Sequence, residues 1–79
     1  MMVQIEVVAR FDARGNVIPQ RLTWQDRSYA VESIGRRWDE SDGQHILVLT
    51  PNGQTFELVY MLLDDSWYLA RPPDQRKLV

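Results

Sequence analysis

The sequence predicts an all-β protein: a single small domain of about six antiparallel strands in a meander, curled into a partly open, SH3-like barrel. Three observations carry this reading. Apolar residues recur at every second position over most of the chain, turn-forming pairs such as Asn52-Gly53 interrupt those runs at short intervals, and no stretch holds a long helical face.

The first strand covers about residues 2–11, with Val3, Ile5, Val7, Ala9 and Phe11 on one face and, apart from Val8, the polar Gln4, Glu6 and Arg10 on the other. Asp12 to Asn16 supply a turn in which Gly15 and Asn16 tolerate positive φ. A second strand, about 19–24, points Leu22 and Trp24 the same way. Pairing Trp24 with Tyr29 and Leu22 with Val31 across Gln25–Ser28 aligns two apolar pairs in one hairpin, although the turn has no glycine. The third strand runs through Tyr29 to Trp38, and its apolar residues change parity between Val31 and Ile34. A bulge near Glu32–Ser33 accounts for that change and bends the sheet. A helix would have to hold Gly35 inside, at a cost of about 1 kcal/mol relative to alanine.

A fourth strand, about 44–50, leads into Asn52-Gly53. Read as a two-residue type I′ loop, this pair matches 49 with 56, 47 with 58 and 45 with 60. A further turn at Asp64-Asp65 pairs 62 with 67 and 60 with 69. The expected core face therefore holds His45, Leu47, Leu49, Phe56, Leu58, Tyr60, Leu62, Trp67 and Leu69. The reverse face is also apolar, with Ile46, Val48, Val59, Met61, Tyr68 and Ala70, where a half-solvated sheet would be polar. Either another part of the chain covers it or it is an interface. The domain is expected to span residues 1–71, and residues 72–79, which open with Pro72 and Pro73, to form a flexible tail.

Composition narrows the function. A chain of 79 residues buries only about 60% of the surface its unfolded form exposes, so a partner or a second copy would add stability. With no cysteine there is neither a disulfide nor a thiolate metal site. The first ten residues alternate and do not resemble a secretion signal, and no run reaches membrane-spanning length, so a cytoplasmic location is expected. The net charge of −2 gives no general attraction to nucleic acid, but it is unevenly spread: residues 1–38 carry six Arg and four acids, residues 39–79 three bases and seven acids.

Catalytic constellations are missing from the pattern. The only histidine, His45, lies within a strand and reads as a packed or partly exposed sheet residue, with no cysteine or second histidine to complete a usual zinc site. Asp64 and Asp65 are neighbours in a turn and point apart, while Asp39, Glu40 and Asp42 before Gly43 lack the later ligands of a calcium loop. The four glycines are scattered and make no phosphate cradle. No enzyme, cofactor or metal is expected.

Pro19, Leu22, Trp24, Arg27, Tyr29, Val31, Ile34 and Trp38, continued by Phe56–Leu58 and Trp67–Leu69, resemble a small uncharacterised bacterial β domain. That domain is also found at the C-terminal end of ImuB-type proteins, the non-catalytic relatives of Y-family DNA polymerases. The resemblance implies association with DNA repair rather than an activity. This sequence departs from it at Asp26, where the domain often has glycine in the turn.

Two function classes follow. The first is a non-catalytic protein-interaction or self-association module, such as a homodimer, with Ile46, Val48, Val59, Met61 and Tyr68 as its surface. The alternative is a weak single-stranded nucleic-acid binder using Arg21, Arg27, Arg36, Arg37 and Trp38, since small β-barrels stack bases on aromatics beside arginine. Trp24 shares a face with Leu22 and reads as core. Trp38 could be packed or exposed.

Overall fold

The computed structural model describes residues 2–70 and contains seven strands and no helix among them. They are β1 (Val3–Phe11), β2 (Val17–Trp24), β3 (Arg27–Ala30), β4 (Ser33–Glu40), β5 (Gly43–Leu49), β6 (Thr55–Met61) and β7 (Ser66–Leu69). All pairings are antiparallel, in the order β3-β2-β1-β7-β6-β5-β4. The all-β class and the curled, half-barrel sheet agree with expectation. The expected tail, 72–79, lies outside the described residues.

The extra strand comes from the expected third strand, which divides. Val31 N–H donates to the Gln20 carbonyl on β2, and the very next amide, Glu32 N–H, donates to Leu49 on β5. Two residues thus carry the chain from one edge of the sheet to the other, so β3 and β4 form a single bent path. That passage forces the sheet to roll. The bulge lies further along than expected, between Ile34 and Arg37. It turns Ile34 and Arg37 toward the inside and leaves Arg36 and Trp38 outside.

The interior holds Val17, Leu22, Ile46, Val48, Phe56, Leu58, Tyr60, Trp67 and Leu69, with Ile5, Val7, Ala9, Trp24, Tyr29, Val31 and Ile34 packed against them. Phe56 and Trp67 project to the same side, as the turn spacing requires, and Trp24 packs against the core while only partly buried. Tyr29 meets Phe56 across the barrel with ring centroids 5.3 Å apart.

One expected register fails by a single residue. β5 pairs Leu49 with Thr55, Val48 with Phe56 and Ile46 with Leu58. The cause is loop length. Thr50, Pro51, Asn52 and Gly53 form a turn closed by Gly53 N–H on the Thr50 carbonyl, Gly53 takes φ 84°, and Thr50 N–H donates to Gln54. This is a three-residue loop with glycine in the left-handed position, not a two-residue type I′ loop. The odd length moves β5 by one position and exchanges its faces. Ile46 and Val48 turn inward, while His45, Leu47 and Leu49 turn outward. The last hairpin differs by two residues, pairing Met61 with Ser66 and Tyr60 with Trp67, so its faces are kept but Leu62 leaves the core for the turn.

The first hairpins show the same logic. Leu22 pairs with Tyr29 and Trp24 with Arg27, two residues tighter than expected. Gln25 and Asp26 take φ 50° and 63°, the type I′ geometry, without a glycine. In the β1–β2 turn, Asp12 Oδ1 accepts the N–H groups of Arg14 and Asn16, each at 2.9 Å. Hydrogen bonds from Asn16, backbone and then side chain, are the main reason this carboxyl stays below its ordinary range.

Candidate interaction surface

The expected surface of Ile46, Val48, Val59, Met61 and Tyr68 does not exist as one face. Ile46 and Val48 are completely buried in the core because of the β5 shift. Val59 stays on the outer side, between His45 and Tyr68, yet it too is fully buried. The β4–β5 corner lies over it: a Cβ on Gly43 would sit 3.2 Å from Val59 Cγ1 and 2.5 Å from the Tyr60 carbonyl oxygen. Met61 and Tyr68 are half-buried.

Nor do the arginines converge. Arg21, on β2, donates to Ser28 Oγ at 3.0 Å, and Arg27 is exposed beside the β2–β3 turn. Arg37 points the other way and donates to the Val17 carbonyl at 2.7 Å. It ties β4 to the start of β2, a stretch that β3 does not pair with, and so fastens the seam of the rolled sheet. Arg36 lies over the Trp38 ring, 5.0 Å from its centroid. Trp38 is half-buried, stacks on His45 with centroids 5.2 Å apart, and donates through Nε1 to Glu40 at 2.6 Å. Its ring already has partners.

His45 is the polar centre of the outer face. It is 5% exposed, with Nδ1 at 2.8 Å from Glu57 Oε2 and Nε2 at 2.7 Å from Asp42 Oδ1. A neutral ring would face one carboxylate with a lone pair, so this geometry suits the imidazolium. Burial, the largest single influence, opposes the charge, but the hydrogen bonds to Asp42 and Glu57 and the charges of Asp42 and Glu40 outweigh it. The pKa lies above 6.5. Glu40, Asp42 and His45 also bring three ligand atoms within 4.8 Å of one another. The 2.7 Å between Nε2 and Oδ1 is a proton-sharing distance; two ligands bonded to one ion at about 2.1 Å sit roughly 3 Å or more apart. With both nitrogens engaged, His45 is not poised as a general base.

Among the described residues the exposed large apolar side chains are Val3 and Val8 on β1, and Phe11, Leu62 and Leu63. The turns 12–16, 41–42 and 62–65 come together at one end of the barrel, as the pairing of β1 with β7 and of β5 with β6 dictates. There Phe11 is 56%, Leu62 75% and Leu63 99% exposed. Phe11 packs edge-on against Tyr60, with centroids 6.1 Å apart, and Phe11, Val17, Tyr60 and Leu62 line a groove of about 420 Å³ bounded by Asp39 and Glu40. Tyr60 donates its hydroxyl to Asp65 at 2.7 Å, and that hydrogen bond, with burial, raises its pKa.

No family model, curated protein or solved structure matches the chain. Alternation along the strand places Leu62 in the core and gives Leu63 no face, so the sequence pattern conceals this surface. Two adjacent leucines directly before the Asp64-Asp65 turn were the available signal.

Proposed function

We propose that this chain is a non-catalytic protein-interaction module whose contact surface is the turn end of the barrel. The supporting observation is the outward display of Leu62 and Leu63 in one turn beside a groove walled by Phe11 and Tyr60. Neither leucine helps to fill the core, and contiguous exposed apolar side chains commonly mark a contact surface. The lack of a converging acid, base and nucleophile around His45 favours binding over catalysis. Association with DNA repair, suggested by the resemblance to the ImuB-linked domain, and a cytoplasmic setting belong to the same reading. The nucleic-acid alternative is weaker, because Arg37 is spent on the seam and Trp38 is sandwiched into the His45 cluster.

The test is selection of random peptides on the immobilised chain, with counter-selection on the Leu62→Ser/Leu63→Ser double variant. Both positions are exposed, so the variant should keep its fold, as an unchanged urea midpoint would verify. Sequences enriched on the native chain alone support the module. Enrichment that ignores the double variant, or none at all, removes the surface.

A further inference from the structure

From that reading of the turn end, we infer its partner: a basic protein segment that sets one or two apolar side chains among lysines or arginines. The argument is charge complementarity around the apolar groove. The three loops and the strand end that meet here carry Asp12, Asp39, Glu40, Asp42, Asp64 and Asp65 against Arg14 alone. Arg10 and protonated His45, just below the rim, do not reverse that balance. The opposite end is far less charged among the described residues: Asp26 and Glu32 stand against Arg27 there, and residues 50–54 carry no charge. The field is therefore polarised along the barrel, and the negative pole coincides with Phe11, Leu62 and Leu63.

Each component has a separate task. The apolar groove takes a leucine- or phenylalanine-sized side chain and contributes contact area without regard to charge. Carboxylates around it act over about 8 Å at physiological ionic strength, so they favour cationic residues next to that anchor and hasten encounter. They also disfavour two other occupants. A second copy meeting this end through a two-fold axis would bring the same acids together, and a nucleic-acid backbone would be repelled.

The experiment measures fluorescence anisotropy of a labelled dodecapeptide with two leucines among lysines. The same peptide is also made with Glu for every Lys, and with Ser for both Leu. The expected result is saturable binding of the Lys/Leu peptide, at least tenfold weaker for Leu62→Ser/Leu63→Ser and for Asp39→Asn/Asp64→Asn. Binding should also weaken severalfold as salt rises from 50 to 300 mM, with little binding of either altered peptide. Equal binding of the Glu/Leu peptide would leave the contact surface standing and overturn the basic partner. Undiminished binding to the leucine variant would mean general attraction to an acidic protein and would overturn it as well. Light scattering on the same samples covers the remaining occupant: a dimer dissociated by Leu62→Ser/Leu63→Ser would show a second copy seated there, against the inference. Binding of none of the peptides, together with failed peptide selection, would remove the surface itself.

Discussion

Two side chains, His45 and Arg37, show how far residue type alone can be read. A lone histidine inside a strand reads as a packed or partly exposed residue on the core face; it is packed, but on the outer side of the sheet. What the sequence does not reveal is that Asp42 and Glu57 reach its two nitrogens, because Glu57 comes from the neighbouring strand and Asp42 from the turn. Because the folded pKa is raised, the imidazolium's contribution to stability is complete below about pH 6.5 and is lost as pH climbs through the higher folded value. The urea midpoint should accordingly be higher near pH 6 than near pH 8.5, and His45→Gln should remove most of that difference. An NMR titration placing the His45 pKa at or below 6.5 would contradict the assignment. Arg37 reads from sequence as a member of a basic cluster, whereas the bulge in β4 turns it inward onto Val17. Arg37→Leu keeps the apolar stem and strands that carbonyl. The expected loss is about 1.5 kcal/mol by urea denaturation, without a change in single-stranded DNA binding at low salt.

Among the elements, hairpins were legible where loop length was, and only there. The Thr50-Pro51-Asn52-Gly53 sequence contains both signals at once: Asn-Gly suggests a two-residue type I′ loop, while Pro followed two positions later by Gly suits a type I turn with a left-handed glycine. The structure takes the second. Pro51, whose φ is preset for the first inner turn position, could have tipped the reading. At the β2–β3 hairpin the absence of glycine hid a tight loop. Gln25 and Asp26 adopt left-handed backbone at a cost of about 1 kcal/mol each. Asp26→Gly should relieve one of these and raise stability by about 0.5–1 kcal/mol, measured as a higher urea midpoint with unchanged slope. An unchanged or lower midpoint would argue that the aspartate compensates its own strain. Gly43 is a different case: its φ of 146° and the Tyr60 carbonyl leave no room for a Cβ, and that close approach lets the corner press on Val59.

For the whole molecule, the decisive feature is the bent path through Val31 and Glu32. By moving from β2 to β5 in consecutive residues, the chain joins the two edges of the sheet and makes an inside and an outside. β4, which ends the hydrogen-bonded order, carries Arg36 and a bulge, both of which discourage pairing with another strand. The two most exposed apolar side chains, Leu62 and Leu63, lie instead at the turn end with Phe11 and the acids, while Val3 and Val8 are exposed along β1. Charge segregation was visible in the sequence as an acidic second half, but its location at one end was not. Asp12 lies far from Asp39 and Asp64 in sequence, and only the rolling of the sheet gathers their loops.

By itself, the sequence determined the β class, the meander of antiparallel hairpins, and the inward set Phe56, Leu58, Tyr60, Trp67 and Leu69, because alternation against polar neighbours leaves a strand one way to face. It could not determine the orientation of β5. His45 to Leu49 are nearly apolar on both sides, so a one-residue shift costs the local pattern little. The loop before β6 and the packing of Ile46 and Val48 against Phe56 and Leu58 made that choice. Tertiary structure likewise decided which leucines meet water, since exposure at the turn depends on where neighbouring strands end, and that is a property of the closed sheet.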